Sequence, residues 1–207
     1  MLDNKRFDLW ADEYDRAVAA SDEDNTYPFA GYGKVLSSVF HTVTEQPGAV
    51  ILDMGFGTGV LTTALYRSGC TVYGQDFSSR MVELTSAKMP EAHLYLKDFS
   101  EGLAEPLLKH HYDFIIATYS LHHLSDPQKL SLIQSLLPLL AQGGKLLIGD
   151  IMFQSRCDLE HCRDMAKDEW DEEEIYIVID ELLFSFPHLK FTPLSFCSGV
   201  ICISKSE

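Results

Sequence analysis

Apolar runs of strand length are interleaved with stretches of helical period through most of the chain. Val50-Ile51-Leu52 ends in Asp53 and breaks into alternating glycines, which predicts a buried strand feeding a tight loop. The residues after the loop, 60–66, space their apolar side chains as a helix does. The same alternation recurs downstream. Strands are predicted over 70–76, 93–96, 113–117 and 143–150. Helices are predicted over 29–43 (Val35, Leu36, Val39, Phe40 and Val43 on one face) and over 80–89, stopped by Pro90. Asp126-Pro127 opens another, with Leu130, Ile133, Leu136, Leu137 and Leu140 as its buried stripe. Two more helices are expected near 159–167 and 172–184, the second burying Ile175, Val178, Ile179 and Leu182. Two strands, near 190–196 and 199–204, close the chain. Strands alternating with helices imply an α/β fold with a mostly parallel sheet.

Three of the predicted strands end in an acid, Asp53, Asp76 and Asp150, at the end of an open α/β sheet where ligands bind. The loop after Asp53 reads D-x-G-x-G-x-G through Gly55, Gly57 and Gly59. A dinucleotide fingerprint, G-x-G-x-x-G, would need a glycine where Val60 stands. Glycines let a ligand lie directly on the main chain. Asp76 can accept both hydroxyls of a ribose, because an ionised carboxylate is acceptor-only with room for two donors.

The ordered motifs resemble those of the class I S-adenosylmethionine (SAM) dependent methyltransferases. The glycine loop is similar to that family's motif I, and Gly74-Gln75-Asp76-Phe77-Ser78 to its G-x-D-x-S motif. Thr118-Tyr119-Ser120-Leu121-His122-His123-Leu124 is similar to motif IV, and Gly143-Gly144 opens a matching fifth strand. The opening Phe7-Asp8-Leu9-Trp10-Ala11-Asp12-Glu13-Tyr14-Asp15 resembles that of many small-molecule members, in particular the bacterial YrrT-like subgroup. The resemblance implies one domain over 1–207: an N-terminal helical lid (1–45), a SAM-binding core (46–150), and acceptor-side helices and closing strands (151–207). It also implies a Rossmann-like, doubly wound, seven-stranded sheet with an antiparallel C-terminal hairpin strand and helices on both faces.

Under that resemblance SAM is the cofactor. Asp53, Gly55, Gly57, Gly59, Asp76, Phe77, Asp98, Phe99 and Tyr119 belong to its site, with Asp98 placed to bond the adenine amino group. Trp10 and Tyr14, one helical turn apart, would face the sulfonium from the lid. In-line methyl transfer draws on positioning, worth about 7–11 kcal/mol for well-oriented reactants. A base matters only for an acceptor that arrives protonated. His122, His123 and Asp150 are the candidates, since histidine titrates near neutral pH. The regions flanking the core carry Tyr27, Tyr32, Met152, Trp170 and Tyr176, an expected apolar or aromatic acceptor pocket.

Charge narrows the substrates. The formal net charge is −15, with 16 Lys and Arg against 31 Asp and Glu and no basic cluster. That disfavours nucleic acid, which a protein usually meets with a basic face, and favours a small molecule. Glu172-Glu173-Glu174 read as a solvated helix start, with Asp171 and Glu174 as a capping box. Five cysteines without a C-x-x-C pair read as free thiols, and no metal is expected. No stretch is apolar enough to span a membrane and the start lacks a signal-peptide core, so a cytoplasmic protein is expected. Two rival readings stand: a non-catalytic SAM-binding sensor, and an NAD-dependent oxidoreductase, against which Val60 and the acid opening the loop both speak.

Overall fold

The computed structural model describes residues 21–23 and 25–205. Seven strands form one sheet in the order β3-β2-β1-β4-β5-β8-β7. These are β1 (Val50–Met54), β2 (Thr71–Asp76), β3 (His93–Leu96), β4 (Tyr112–Thr118), β5 (Leu140–Phe153), β7 (Lys190–Pro193) and β8 (Ser198–Ser204). β1 to β5 run parallel, whereas β8 lies antiparallel between β5 and β7. An eighth strand, the two-residue β6 (Ile177–Val178), pairs with the far end of β5. The expected doubly wound sheet with a C-terminal hairpin is therefore present.

Alternation along the strands sends side chains to two cores. Leu52, Ile115, Leu146 and Ile148 pack on Leu132, Ile133 and Leu136 of helix α4 (Asp126–Leu136). On the other face, Ile51, Val72, Ile116 and Leu147 meet α1 (Tyr32–Thr44) and α2 (Val60–Arg67) through Val35, Val39, Val43, Leu61 and Leu65. α1 lies so close to β5 that a Cβ on Gly149 would stand 2.5 Å from Val35 Cγ1. Helix α3 (Ser79–Lys88) starts on its Ser78 cap, whose hydroxyl accepts the Met81 N–H. Strand order reverses about β1, which has β2 on one side and β4 on the other. The crevice beyond the carboxyl ends of β1 and β4 is therefore the switch point of the fold.

Some expectations shift. Ser125, not Asp126, caps α4, because Gln128 completes a capping box with it. The stripe of that helix moves accordingly: Lys129 and Leu132 are buried while Leu130 is only half-buried. Helix α5 (Arg156–Ala166) starts three residues before its predicted position, on a Ser155–Asp158 capping box. The helix expected over 172–184 does not form as one element. Residues 172–176 are irregular, β6 follows, and only α6 (Ile179–Leu182) is helical. The Ile175 N–H is taken by the His122 carbonyl at 2.8 Å, and β6 extends the sheet. Ile177 and Val178 are β-branched, and their burial against β5 settles an ambiguous period in favour of strand, while Ile175, expected to be buried, is exposed. No helix among the described residues is long and apolar enough to cross a membrane.

Candidate functional site

The loop between β1 and α2 is held from outside. The Gly57 N–H donates to Asp76 Oδ2 at 2.9 Å, and its carbonyl accepts from the Thr85 hydroxyl at 3.0 Å. The Thr58 carbonyl accepts from Lys88 Nζ at 2.7 Å. Asp76 Oδ1 accepts the Ser78 N–H at 2.9 Å, so this buried carboxylate joins the glycine loop to the start of α3. Gly59 takes φ +76° as it opens α2, and a Cβ there would meet Thr85 Cγ2 at 2.8 Å. Gly57 also has positive φ, +53°, but a Cβ there would meet nothing within 4 Å. Gly59 is thus required by packing, whereas the described residues leave the space over Gly57 open.

Asp53 lies beneath the loop. Its Oδ2 accepts the Thr62 hydroxyl at 2.6 Å, and its buried Oδ1 has no hydrogen-bond partner among the described residues. Burial raises its pKa to about 7 against the opposing Thr62 bond, with the Asp76 charge adding to the rise.

Tyr119 continues the β4–β5 ladder through its N–H to the Gly149 carbonyl at 2.8 Å, then turns with φ +49°. Its ring meets Tyr32 at 4.8 Å and Phe29 at 5.8 Å between centroids. A second aromatic group forms where Tyr27 stacks on Trp170 at 5.1 Å and both meet Tyr176.

Past Tyr119, a short helical turn over Leu121–His123 presents two histidines. His122 is buried, and its Nδ1 lies 2.6 Å from Asp150 Oδ1. Asp150 is fully buried and also accepts the N–H groups of Leu121 (3.0 Å) and Ile151 (2.8 Å). Burial alone would depress the pKa of His122; the Asp150 charge and hydrogen bond, helped by Glu174, outweigh it and leave it raised. For Asp150 burial pushes upward, but the charge and hydrogen bond of His122 and the two N–H donors leave it lowered. Both shifts have one cause, the 2.6 Å contact between the ring and the carboxylate. His123 is the opposite case, brought down to about 3 by burial and by the neighbouring His122. His122 Nε2 faces Glu174 Oε1 at 3.6 Å, and Glu174 Oε2 accepts the Tyr176 hydroxyl at 2.7 Å. The Tyr176 hydroxyl in turn pairs with that of Tyr27.

One cavity of about 240 Å³ joins the glycine loop, the Tyr119 cluster and the His122–Glu174 region. Gly55, Gly57, Asp76, Phe77 and Phe99 line it together with the rings of Tyr27, Phe29, Tyr32 and Tyr119. His122, His123, Glu169, Asp171 and Glu174 line it as well.

Comparison with known proteins places the fold. Residues 51–144 match a family model described as a methyltransferase domain. An uncharacterized methyltransferase of Geobacillus thermodenitrificans is 36% identical over 195 residues, 90% of this chain and 87% of the relative. One from Anoxybacillus flavithermus is 38% identical over 72% of this chain and 68% of its own. The chain belongs to the class I SAM-dependent methyltransferases. Among solved structures the methyltransferase shares its fold with a DhpI–S-adenosylhomocysteine (SAH) complex, at TM-score 0.70 and 14% identity over 99% of this chain and 96% of that one. It shares it also with the SAH-bound magnesium protoporphyrin IX methyltransferase of Synechocystis PCC 6803, at TM-score 0.68 and 18% identity over 86% and 85%. SAM is the cofactor, and the oxidoreductase reading falls away.

In the methyltransferase the expected residues divide by position. Gly55, Gly57, Asp76, Phe77, Phe99, Tyr119, His122 and His123 border the cavity. Asp53, Gly59 and Asp150 are not among its lining residues: Asp53 bonds Thr62, Gly59 packs close to Thr85 and Asp150 pairs with His122. Asp98 does not line the cavity either: its Oδ1 accepts the Ser100 N–H at 2.8 Å and caps a single turn. Trp10 and Tyr14 lie outside the described residues. Tyr27 and Tyr32 line the cavity as expected, Trp170 and Tyr176 back Tyr27, and Met152 is buried in the core instead. Glu174 is the largest correction. It is no capping residue but part of the cavity wall beside His122. Its i, i+3 spacing from Asp171 matched a cap, and only the tertiary course of 172–176 reveals its place.

The residues present suit the cofactor. Open space over Gly57, a buried acid at the end of β2 and flat rings at Phe77 and Phe99 match a nucleoside carrying a charged tail. His122, His123 and Glu174 also place one ligand-type atom each within 4.8 Å of one another, a spacing that admits a divalent cation.

Proposed function

We propose that this enzyme methylates a small-molecule acceptor, held against the cofactor in the cavity between the glycine loop and the His122–Glu174 wall. The observation that carries the reading is the continuity of that one cavity, from Gly57 to Glu174. When bound, SAM supplies a methyl group made electrophilic by a positive sulfur. The main chain at Gly55 and Gly57 offers a surface without side chains. Asp76, which accepts two N–H groups, is an acceptor-only carboxylate of the kind a ribose needs, and Phe77 and Phe99 offer apolar walls for a base. The rings of Tyr119, Tyr32 and Phe29 present π faces that favour a cation, worth about 0.5–2 kcal/mol. Tyr119 is buried and Tyr32 and Phe29 are half-buried, and closure over them by a bound ligand would exclude water and strengthen charge interactions inside. Asp150 orients His122 so that Nε2, not Nδ1, faces the space beside Glu174. A net charge of −15 favours a small acceptor over nucleic acid. The N-terminal segment is proposed to complete the cover with Trp10 and Tyr14.

Calorimetric titration with SAM, SAH and NAD tests the cofactor half; saturable binding of the first two and not of NAD is expected. Screening a metabolite extract for transfer of a labelled methyl group tests the acceptor half. Tight SAH binding with no labelled product would favour a sensor.

A further inference from the structure

We propose that the methyl acceptor is a primary or secondary amine, admitted as its ammonium ion beside Glu174 and deprotonated there by His122. The proposal rests on the methyl-transfer reading of the same cavity and adds the chemical class of the acceptor.

Charge comes first. Glu169, Asp171 and Glu174 line the cavity, and no Lys or Arg does so among the described residues. His123 is held neutral by its burial, and His122 is paired with the Asp150 carboxylate. Among the described residues an entering carboxylate or phosphate would meet carboxylates and no Lys or Arg, whereas an ammonium ion would meet partners.

Geometry is the second, independent observation. His122 is buried, with Nδ1 committed to Asp150, while Nε2 makes no hydrogen bond among the described residues and stands 3.6 Å from Glu174 Oε1. The two atoms form a gap with two acceptors when the ring is neutral. A group with at least two N–H bonds satisfies both; a hydroxyl, with one hydrogen, satisfies one. Glu174 is itself fixed, through Oε2, by Tyr176. Tyr27, which lines the cavity, pairs with that hydroxyl and stacks on Trp170. An amine with an apolar or aromatic body suits such a wall.

The chemistry closes on itself. The ammonium nitrogen gives one proton to neutral His122 Nε2, while Nδ1–H remains on Asp150. The freed lone pair bonds the methyl carbon as the carbon–sulfur bond breaks, with the bonding electrons left on sulfur. The positive charge lost by sulfur reappears on the methylated nitrogen, and His122 returns its proton to solvent. The groups facing His122 are Asp150 from β5, Glu174 from the segment before β6, His123 beside it, and Lys129 from α4.

The test uses methyl-labelled SAM and a deproteinised small-molecule extract, offered before and after acetylation of its free amines. The expected label sits on a product retained by cation exchange and falls at least tenfold after acetylation. Glu174→Gln, which keeps an acceptor for Tyr176, is expected to cut labelling tenfold or more while SAH affinity changes less than twofold. Binding gives a readout apart from turnover: titrated into the SAH complex, benzylamine is expected to bind at least tenfold more tightly than benzoate. SAH binding with no labelled product from either extract would favour the sensor and remove the amine assignment with the methyl-transfer reading. Label that survives acetylation, or no preference between the two probes, would each overturn the amine assignment alone. So would transfer abolished by a chelator and restored by a divalent cation, which would give the histidines to a metal. If the wild-type protein binds no SAH, the methyl-transfer reading falls, and that result is seen before any acceptor is added.

Discussion

Replacing Gly57 and Gly59 separately by alanine divides ligand space from packing space. Both have positive φ, +53° and +76°, so each alanine carries left-handed strain of about 1–2 kcal/mol. For a chain of this size that lowers Tm by roughly 2–8 °C. At Gly57 no further cost is expected, because a Cβ meets no described residue within 4 Å. At Gly59 the Cβ falls 2.8 Å from Thr85 Cγ2 and 3.0 Å from Thr85 Oγ1, which adds an overpacking cost of about 1–3 kcal/mol. Gly59→Ala is therefore expected to be the less stable variant, by roughly 2–5 kcal/mol against wild type. Binding reverses the order. If the space over Gly57 belongs to SAM, the Cβ of Gly57→Ala overpacks the complex by the same 1–3 kcal/mol, about 5- to 150-fold in Kd. Gly59→Ala, once folded, should lose less than Gly57→Ala. Chemical denaturation and calorimetry of SAH binding on the same two preparations give both numbers. Wild-type SAH affinity in Gly57→Ala, or equal stability of the two variants, would refute the reasoning.

Three further outcomes follow from buried carboxylates. Asp76→Ala removes the acceptor of two N–H groups, each charge-assisted bond being worth about 1.5–3 kcal/mol, and should weaken SAH binding at least tenfold by calorimetry. Asp150→Asn should cost roughly 3 kcal/mol by urea denaturation, since it strips one partner from a buried pair. Its penalty should peak between about pH 4 and 6.5: the raised pKa of His122 stabilises below its unfolded value and fades as pH rises through the folded one, while the lowered pKa of Asp150 fades as pH falls. Glu174, His123 and Lys129 face the same ring and should be left intact in that comparison. Asp53 has the opposite sign, because a carboxyl raised to about 7 destabilises the fold as pH climbs from its unfolded value toward 7. Asp53→Asn should therefore gain on wild type at pH 8 and not at pH 4; no change in the difference across that range would contradict it.

The sequence carried the parts of the structure whose signals are local. β3 falls on residues 93–96 as the alternation predicts, and the glycine loop, the acid of β2 and the turn at Tyr119 fall at strand ends on one side of the sheet. Such signals depend on burial of a short run and on backbone freedom, both visible in neighbouring residues. Residues 172–176 were misread because Asp171 and Glu174 have cap spacing and Ile175, Val178, Ile179 and Leu182 have helical spacing. The deciding contacts, Ile175 with the His122 carbonyl and Ile177 with Met152, come from distant parts of the chain. Phe29 escaped notice as a cavity residue for the same reason: it meets Tyr119, ninety positions later. The role of Asp150 was half legible. Its place at the mouth of the sheet was read from the strand, but its pairing with His122 needs the β4–β5 register.

The most direct test of the central claim is a crystal structure of the SAH complex. The account predicts homocysteine over Gly57, the ribose at Asp76 and the sulfur facing the space bounded by Tyr119, His122 and Glu174. SAH seated elsewhere, or with its sulfur turned away from that wall, would contradict it.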